Sequence, residues 1–286
     1  MRKGHLLEGW RRLKRLAMRP LIVIPARYGS TRFPAKPLQL IAGKSLLARV
    51  AHVAKAAAAQ TGAQVVVATD DGRIDAHAAE LGVASVMTDP ALPSGTDRAY
   101  AAAQLFDPSV DFVVNLQGDA PFTPPAMIAA LIEAARRDVE TADVYTPVTA
   151  MSWAALDALR EHKKTSPFSG TTCIQDAQGR ALWFSKQIIP AIRNEAKLRA
   201  AGDPSPVLRH VGLYAYTTEA LGRYVGLPLG RYEALEGLEQ LRFLENEMAV
   251  RAVLSEGSPF DLGGIDTPED AAEAERLIAA RGDPHG

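Results

Sequence analysis

The sequence predicts an α/β fold: a doubly wound, mainly parallel sheet covered by helices on both faces. Three observations carry this. Short continuous apolar runs recur at Leu21–Pro25 (LIVIP), Gln64–Thr69 (QVVVAT) and Phe112–Leu116 (FVVNL). Segments of helical periodicity separate them, and each run opens into a polar loop rich in Gly, Asp or Pro. Strands buried on both faces read as unbroken apolar runs, and βαβ alternation with short connections calls for parallel pairing through right-handed crossovers.

The elements follow in order. The strand Leu21–Pro25 leads into the loop ARYGSTRFPAK, and Ser45–Ala59 is an alanine-rich helix. Gln64–Thr69 stops at the turn Asp70-Asp71-Gly72. Arg73–Leu81 reads as a helix closed by Gly82, Ala84–Met87 as a short strand and Ala99–Phe106 as a helix. After Phe112–Leu116 the chain breaks at QGDAP, and Met127–Arg137 is helical behind Pro124-Pro125. The second half is less regular. Val144–Pro147, Thr171–Gln175 and Ala181–Ser185 read as strands, the last two joined by DAQGR. Arg193–Pro206 is expected as a polar loop, Val211–Tyr216 as a strand, Tyr232–Glu247 as one charged helix and Pro268–Ala280 as the closing helix. With no internal repeat or low-complexity linker, residues 20–286 read as a single αβα domain with a β-rich insertion at about 150–225.

Composition narrows the function classes. The 286 residues are 47% hydrophobic and 23% charged, with 32 Lys+Arg against 33 Asp+Glu. A formal net charge of −1 gives no global attraction to nucleic acid. The single cysteine, Cys173, excludes an internal disulfide framework and an all-cysteine metal cage. No apolar run approaches the ~18–20 residues that span a bilayer, so a soluble protein is expected. Residues 1–19 are basic, with Leu6, Leu7, Trp10, Leu13 and Leu16 at helical spacing. Arg11 and Arg12 interrupt any secretory apolar core. The reading preferred over a membrane-surface helix is a plain basic extension preceding the first strand.

In open α/β sheets, ligands bind beyond the carboxyl ends of the strands. The loop Pro25–Pro37 lies there and places Arg27, Arg32 and Lys36 among Gly29, Ser30 and Thr31. Backbone N–H groups and hydroxyls of such a loop donate to phosphate oxygens, and its cations offset charge on a leaving pyrophosphate. Neither GxxxxGK[ST] nor GxGxxG spacing is present, which disfavours a Walker-type loop and a dinucleotide. Asp119 follows Asn115-Leu116-Gln117-Gly118 at the end of a strand, placed to hold Mg²⁺ against phosphates. Asp266, after Gly263-Gly264-Ile265, is either a second magnesium ligand or the cap of the last helix, a role Thr267 also suits.

The segments IPARYGSTRFPAKPL (24–38), VVVATDD (65–71), SGTDR (94–98), VNLQGDAP (114–121), GRALWFSK (179–186), LRHVGLYAY (208–216), YEALEGLEQLRFLE (232–245) and GGIDTPED (263–270) together resemble one family. It is that of the sugar-acid cytidylyltransferases, most closely the 3-deoxy-manno-octulosonate (Kdo) cytidylyltransferases, and the resemblance runs from residue 20 to 280. It implies a nucleotide-diphospho-sugar transferase-like three-layer fold whose insertion serves dimerisation. It implies an enzyme that joins CTP to a 2-keto sugar acid, giving a CMP-sugar and pyrophosphate with Mg²⁺, as a cytoplasmic homodimer in lipopolysaccharide synthesis.

Carried over motif by motif, the resemblance puts Arg27, Ser30, Arg32 and Lys36 on the triphosphate. Thr69, Asp70, Ser94, Gly95 and Thr96 fall on the cytidine side, and Asp119 and Asp266 on magnesium. Arg27, Lys36, Asp119 and Asp266 are the catalytic set. Gln117, Lys186, His210, Tyr214, Glu236, Glu239 and Gln240 fall to the sugar acid; the residues alone would single out none of these except through the family. Three positions depart from the family pattern: Ala120 stands where glutamate follows the aspartate (QGDEP), Lys186 where the motif ends in arginine, and PFSGTT (167–172) where NPNxVK is common. All three bear on the acceptor, so the alternatives are a different acid sugar (amino-Kdo or a nonulosonate) and a non-catalytic nucleotide-binding paralogue.

Overall fold

The computed structural model describes residues 18–29, 33–138, 142–258, 260 and 263–285. The readings made for residues 1–17 and for Ser30, Thr31 and Arg32 lie outside the described residues. The chain divides into two compact units, one formed by residues 1–137, 215–225 and 257–286, the other by 138–214 and 226–256.

The first unit opens with β1 (Pro20–Ala26) and a hairpin of β2 (Leu40–Ile41) and β3 (Lys44–Ser45), followed by α1 (Leu46–Thr61). Then come β4 (Gln64–Thr69), α2 (Gly72–Glu80), β5 (Ala84–Met87), α3 (Gly95–Phe106), β6 (Phe112–Asn115) and α4 (Pro125–Arg137). The sheet order is β5-β4-β1-β6, every pair parallel. This is the mainly parallel sheet with flanking helices that the alternating pattern predicts. Leu21 to Ile24, Val66 to Ala68, and Val113 with Val114 are all fully buried. Each buried aliphatic side chain of this kind contributes roughly 1.5–3 kcal/mol, which is why the runs are unbroken. The helices begin at side-chain caps: Ser45, Asp71 and Ser94 accept from the backbone N–H of Ala48, Arg73 and Asp97. The Ser94 cap starts α3 four residues earlier than apolar periodicity alone places it.

In the second unit, β7 (Val144–Ala150) pairs in parallel with the strand Val250–Leu254. The strand Leu208–His210 lies antiparallel between β7 and β8 (Thr171–Gln175), and β9 (Ala181–Ser185) is antiparallel to β8. The segment is β-rich as expected, and it also carries α5 (Trp153–His162), around which Met151, Leu156 and Val207 form a small core.

Several elements differ from the sequence reading. Tyr232–Glu247 is two short helices, Arg231–Glu236 and Gln240–Glu245, because Gly237 turns left-handed at φ 63. Glu236, Glu239 and Gln240 therefore do not share one helical face. Arg193–Pro206, expected as a loop, contains the helix Glu195–Ala201, whose Glu195 accepts from both Arg160 and Arg199 at 2.7–2.9 Å. Val211–Tyr216 is not one strand: pairing stops at His210 and resumes in Tyr214–Thr217. Trp153–His162, Thr218–Val225 and Val250–Leu254 were not anticipated.

Candidate active site

The register Ala26↔Thr69 and Val23↔Asn115 brings the carboxyl ends of β1, β4 and β6 to one edge of the first unit. The loops leaving that edge enclose a cleft of about 250 Å³, lined among others by Arg27, Lys36, Ser94, Gly95, Arg98, Gln117, Asp119 and Asp266.

Lys36 opens a short 3-10 turn, Lys36–Leu38. Its Nζ donates to Asp119 Oδ2 at 2.9 Å and to Asp266 Oδ1 at 3.0 Å. Three loops distant in sequence thus meet at one ammonium group. Backbone packing sets the meeting point. Ile265 N–H donates to Asp119 O at 2.8 Å, tying the GGID loop to the QGD loop. A Cβ on Gly118 would stand 2.3 Å from the carbonyl oxygen of Pro25, and one on Gly264 would stand 3.0 Å from Asp119 Cγ. Both glycines serve close approach.

The choice left open for Asp266 resolves against capping. Thr267 is the N-cap of the last helix, Pro268–Arg281, accepting from Asp270 N–H while Asp270 returns the bond. The carboxylate of Asp266 turns to Lys36 instead.

Arg27 lines the cleft with an exposed side chain. Ser94 and Gly95 line it too. Thr69 and Thr96 are buried, and Thr96 Oγ1 accepts from Asn115 Nδ2 at 3.3 Å. Asp70 is an organiser of the loops: it accepts from Arg98 Nη2 at 3.1 Å and from Tyr28 N–H at 3.4 Å. Arg98, 2% exposed, also donates to Thr88 Oγ1 at 2.5 Å. Sequence reading gave Arg98 no role, because a single arginine on a helix looks solvated until tertiary packing closes over it.

The residues assigned to the sugar acid, Gln117 excepted, lie in the second unit, where Glu236 with Lys186 forms one hydrogen-bonded group and His210, Tyr214 and Gln240 another. Glu236 accepts from Ser185 Oγ at 3.0 Å and from Lys186 N–H at 2.6 Å. His210 Nε2 is 2.8 Å from Thr146 Oγ1, whose hydroxyl is committed to Leu213 O at 2.9 Å, so Nε2 is the donor. Its Nδ1 faces Gln240 Nε2 at 3.5 Å, and Tyr214 Oη donates to Gln240 Oε1 at 2.9 Å. Burial pushes the His210 ring down to about 3, with the Lys186 charge acting in the same direction. Burial also lowers Lys186, against the pull of Glu236. Glu239 stands at the N-cap of the helix Gln240–Glu245.

Lys163 is a residue the sequence reading missed. Its Nζ donates to Lys186 O at 2.6 Å and to Gly170 O at 3.2 Å, and also to Ser169 O, fastening the 163–170 turn to the end of β9. The segment PFSGTT lacks the family's lysine, but a lysine reaches its backbone from four residues upstream.

Comparison with known proteins gives the family. The cytidylyltransferase family model matches residues 21–250. A 3-deoxy-manno-octulosonate cytidylyltransferase from Maricaulis maris is 41% identical over 266 residues, 93% of this chain and 99% of that protein. One from an Anaeromyxobacter species is 41% identical over 263 residues, 92% of this chain and 98% of the relative. A solved structure of CMP:2-keto-3-deoxy-manno-octonic acid synthetase complexed with CTP superposes with a TM-score of 0.76 at 33% identity, covering 92% of this chain and 99% of that one. Fold and relatives together define an enzyme of the nucleotidyltransferase class. The chain belongs to the cytidylyltransferase family.

Proposed function

We propose that this enzyme joins CTP to 3-deoxy-manno-octulosonate, or a close 2-keto sugar acid, releasing pyrophosphate and CMP-Kdo. The relatives' names support the substrate pair. The observation that carries the chemistry is the meeting of Lys36, Asp119 and Asp266 within 3.0 Å in a cleft also lined by Arg27.

The donor set fits magnesium. Two carboxylates aimed at one cationic point suit an ion that takes one or two carboxylates and completes its shell with phosphate oxygens and water. Asp119 and Asp266 would hold the ion, which when bound neutralises the triphosphate and the departing pyrophosphate. Arg27, Lys36, Ser30 and Arg32 bind the phosphates and keep the α-phosphate in line with the acceptor's anomeric hydroxyl. Ser94 and Gly95 border the nucleoside, and the Arg98–Asp70 pair fixes the loops around it. On the acceptor side, Lys186 faces the sugar carboxylate, while Gln117, His210, Tyr214, Glu236, Glu239 and Gln240 bind or orient its hydroxyl groups. The remaining parts of the reading are a homodimer built through residues 150–225, cytoplasmic location and a place in lipopolysaccharide synthesis. No helix of the described residues is long and apolar enough to cross a membrane.

Pyrophosphate release with CTP, Mg²⁺ and a panel of Kdo, amino-Kdo and a nonulosonate tests the proposal. Release that depends on Kdo and is fastest with it supports the reading. Release only with another acid sugar replaces the acceptor, and no release with any acceptor makes the chain a nucleotide-binding paralogue.

A further inference from the structure

We infer that Lys36 has two stations: without nucleotide its ammonium group holds the magnesium position between Asp119 and Asp266, and it moves to the triphosphate when the metal–nucleotide complex binds. This rests on the assignment of those two carboxylates to the metal and adds a regulatory property to that site.

The observations are geometric. Asp119 and Asp266 come from different loops, and backbone contacts hold these loops: the Ile265–Asp119 hydrogen bond joins them, and the close approach at Gly118 seats the QGD loop against Pro25. Their carboxylate oxygens stand 2.9 and 3.0 Å from one Nζ. Two carboxylates facing each other repel, and a cation between them removes that cost. A metal ion held by the same two oxygens, Asp119 Oδ2 and Asp266 Oδ1, takes the place of the lysine. The displaced ammonium needs an anion, and apart from the carboxylates it has just left, the charged residues lining the cleft are Arg27 and Arg98, the latter already paired with Asp70. Nucleotide phosphates supply the missing partner.

Metal binding to the free enzyme is thus discounted by the cost of expelling Lys36, and nucleotide refunds that cost. By linkage, metal raises nucleotide affinity by the same factor as nucleotide raises metal affinity. The lysine couples the two ligands, so the cleft holds a divalent ion less tightly when empty of nucleotide.

The test is Mn²⁺ binding followed by electron paramagnetic resonance, with and without CTP, on the full chain. Lys36→Met and Lys36→Gln should each bind Mn²⁺ about tenfold more tightly than wild type without CTP, and the enhancement by CTP should shrink by a similar factor. Arg27→Met controls for simple loss of positive charge and should change nucleotide-free Mn²⁺ affinity far less. Thermal unfolding verifies that each variant is folded. Equal nucleotide-free affinity in wild type and both Lys36 variants, or an equal gain in Arg27→Met, overturns the two-station lysine. Asp119→Asn separates this from failure of the underlying assignment. If Mn²⁺ binding in the presence of CTP is indifferent to Asp119→Asn, the carboxylates are not the metal site and the inference falls with it.

Discussion

A single added methyl group at Gly118 should damage catalysis more than its size suggests. The new Cβ would stand 2.3 Å from Pro25 O, against the 3.4 Å or more of an ordinary contact. Neither partner is a flexible side chain. The β1 loop or the QGD loop must therefore give way by about 1 Å, a displacement that costs on the order of 100-fold when it misplaces reacting groups. Overpacking of this kind also costs about 1–3 kcal/mol of stability. A graded series isolates the cause. At Gly264 the added carbon would lie 3.0 Å from Asp119 Cγ, where a side chain can adjust; at Gly263 nothing lies within 4 Å. Steady-state kcat/KM for pyrophosphate release should fall about 100-fold in Gly118→Ala, an intermediate amount in Gly264→Ala and hardly at all in Gly263→Ala. Urea unfolding should rank the three variants in the same order. Wild-type kcat/KM in Gly118→Ala would show that the carboxylate's position does not depend on this backbone contact.

Three further outcomes follow from the second unit and the chain's end. His210 is held neutral, down to about 3 against an ordinary 6.5, so unfolding takes up a proton below pH 6.5. Its stabilising effect is complete above that pH and is lost on acidification, by about 2 kcal/mol between pH 7 and pH 5. Urea titrations should show a shallower pH dependence in His210→Gln, and an unchanged slope would contradict the buried neutral ring. Arg49, fully buried, donates to Ile41 O at 2.9 and 2.7 Å and to both oxygens of Asp283 at 2.9 and 3.3 Å. Arg49→Met should cost about 3 kcal/mol, the low end for a broken buried pair because Asp283 keeps some contact with solvent; a loss below about 1 kcal/mol would make the pair dispensable. Lys186→Arg should lower KM for Kdo about fivefold if residue 186 grips the carboxylate, since guanidinium binds it through two parallel bonds. An unchanged KM would remove Lys186 from the acceptor site.

What the sequence reveals follows the range of the forces involved. The strands of the first unit were legible because two-sided burial leaves an unbroken apolar run, as in Leu21 to Ile24. Strand ends then located Lys36 and Asp119, since each loop begins where such a run stops. The Lys36–Asp266 contact spans 230 residues, and only the resemblance and the glycine pair hinted at it. The second unit was harder. Its sheet mixes one parallel pairing with three antiparallel ones, and one left-handed glycine at 237 breaks what charge periodicity reads as a single helix. The helix Glu195–Ala201 lies in a polar stretch with no buried residue of its own and is held through Glu195 by Arg160 of α5. Such an element leaves no apolar signature to find.

The same contrast bears on specificity. The charges proposed for the nucleotide sit at strand ends and are held by backbone contacts. The residues proposed for the acceptor instead hold one another: Tyr214 donates to Gln240, Gln240 faces His210, and His210 donates to Thr146. Altering any one member leaves a buried partner unsatisfied, which costs about 1–3 kcal/mol. Drift at the acceptor side is therefore easiest outside this chain of bonds. Ala120 and Lys186 lie outside it, as does the segment PFSGTT, whose backbone Lys163 has taken up. The three departures from the family pattern thus fall outside this chain of bonds, and they do not by themselves argue for a changed reaction.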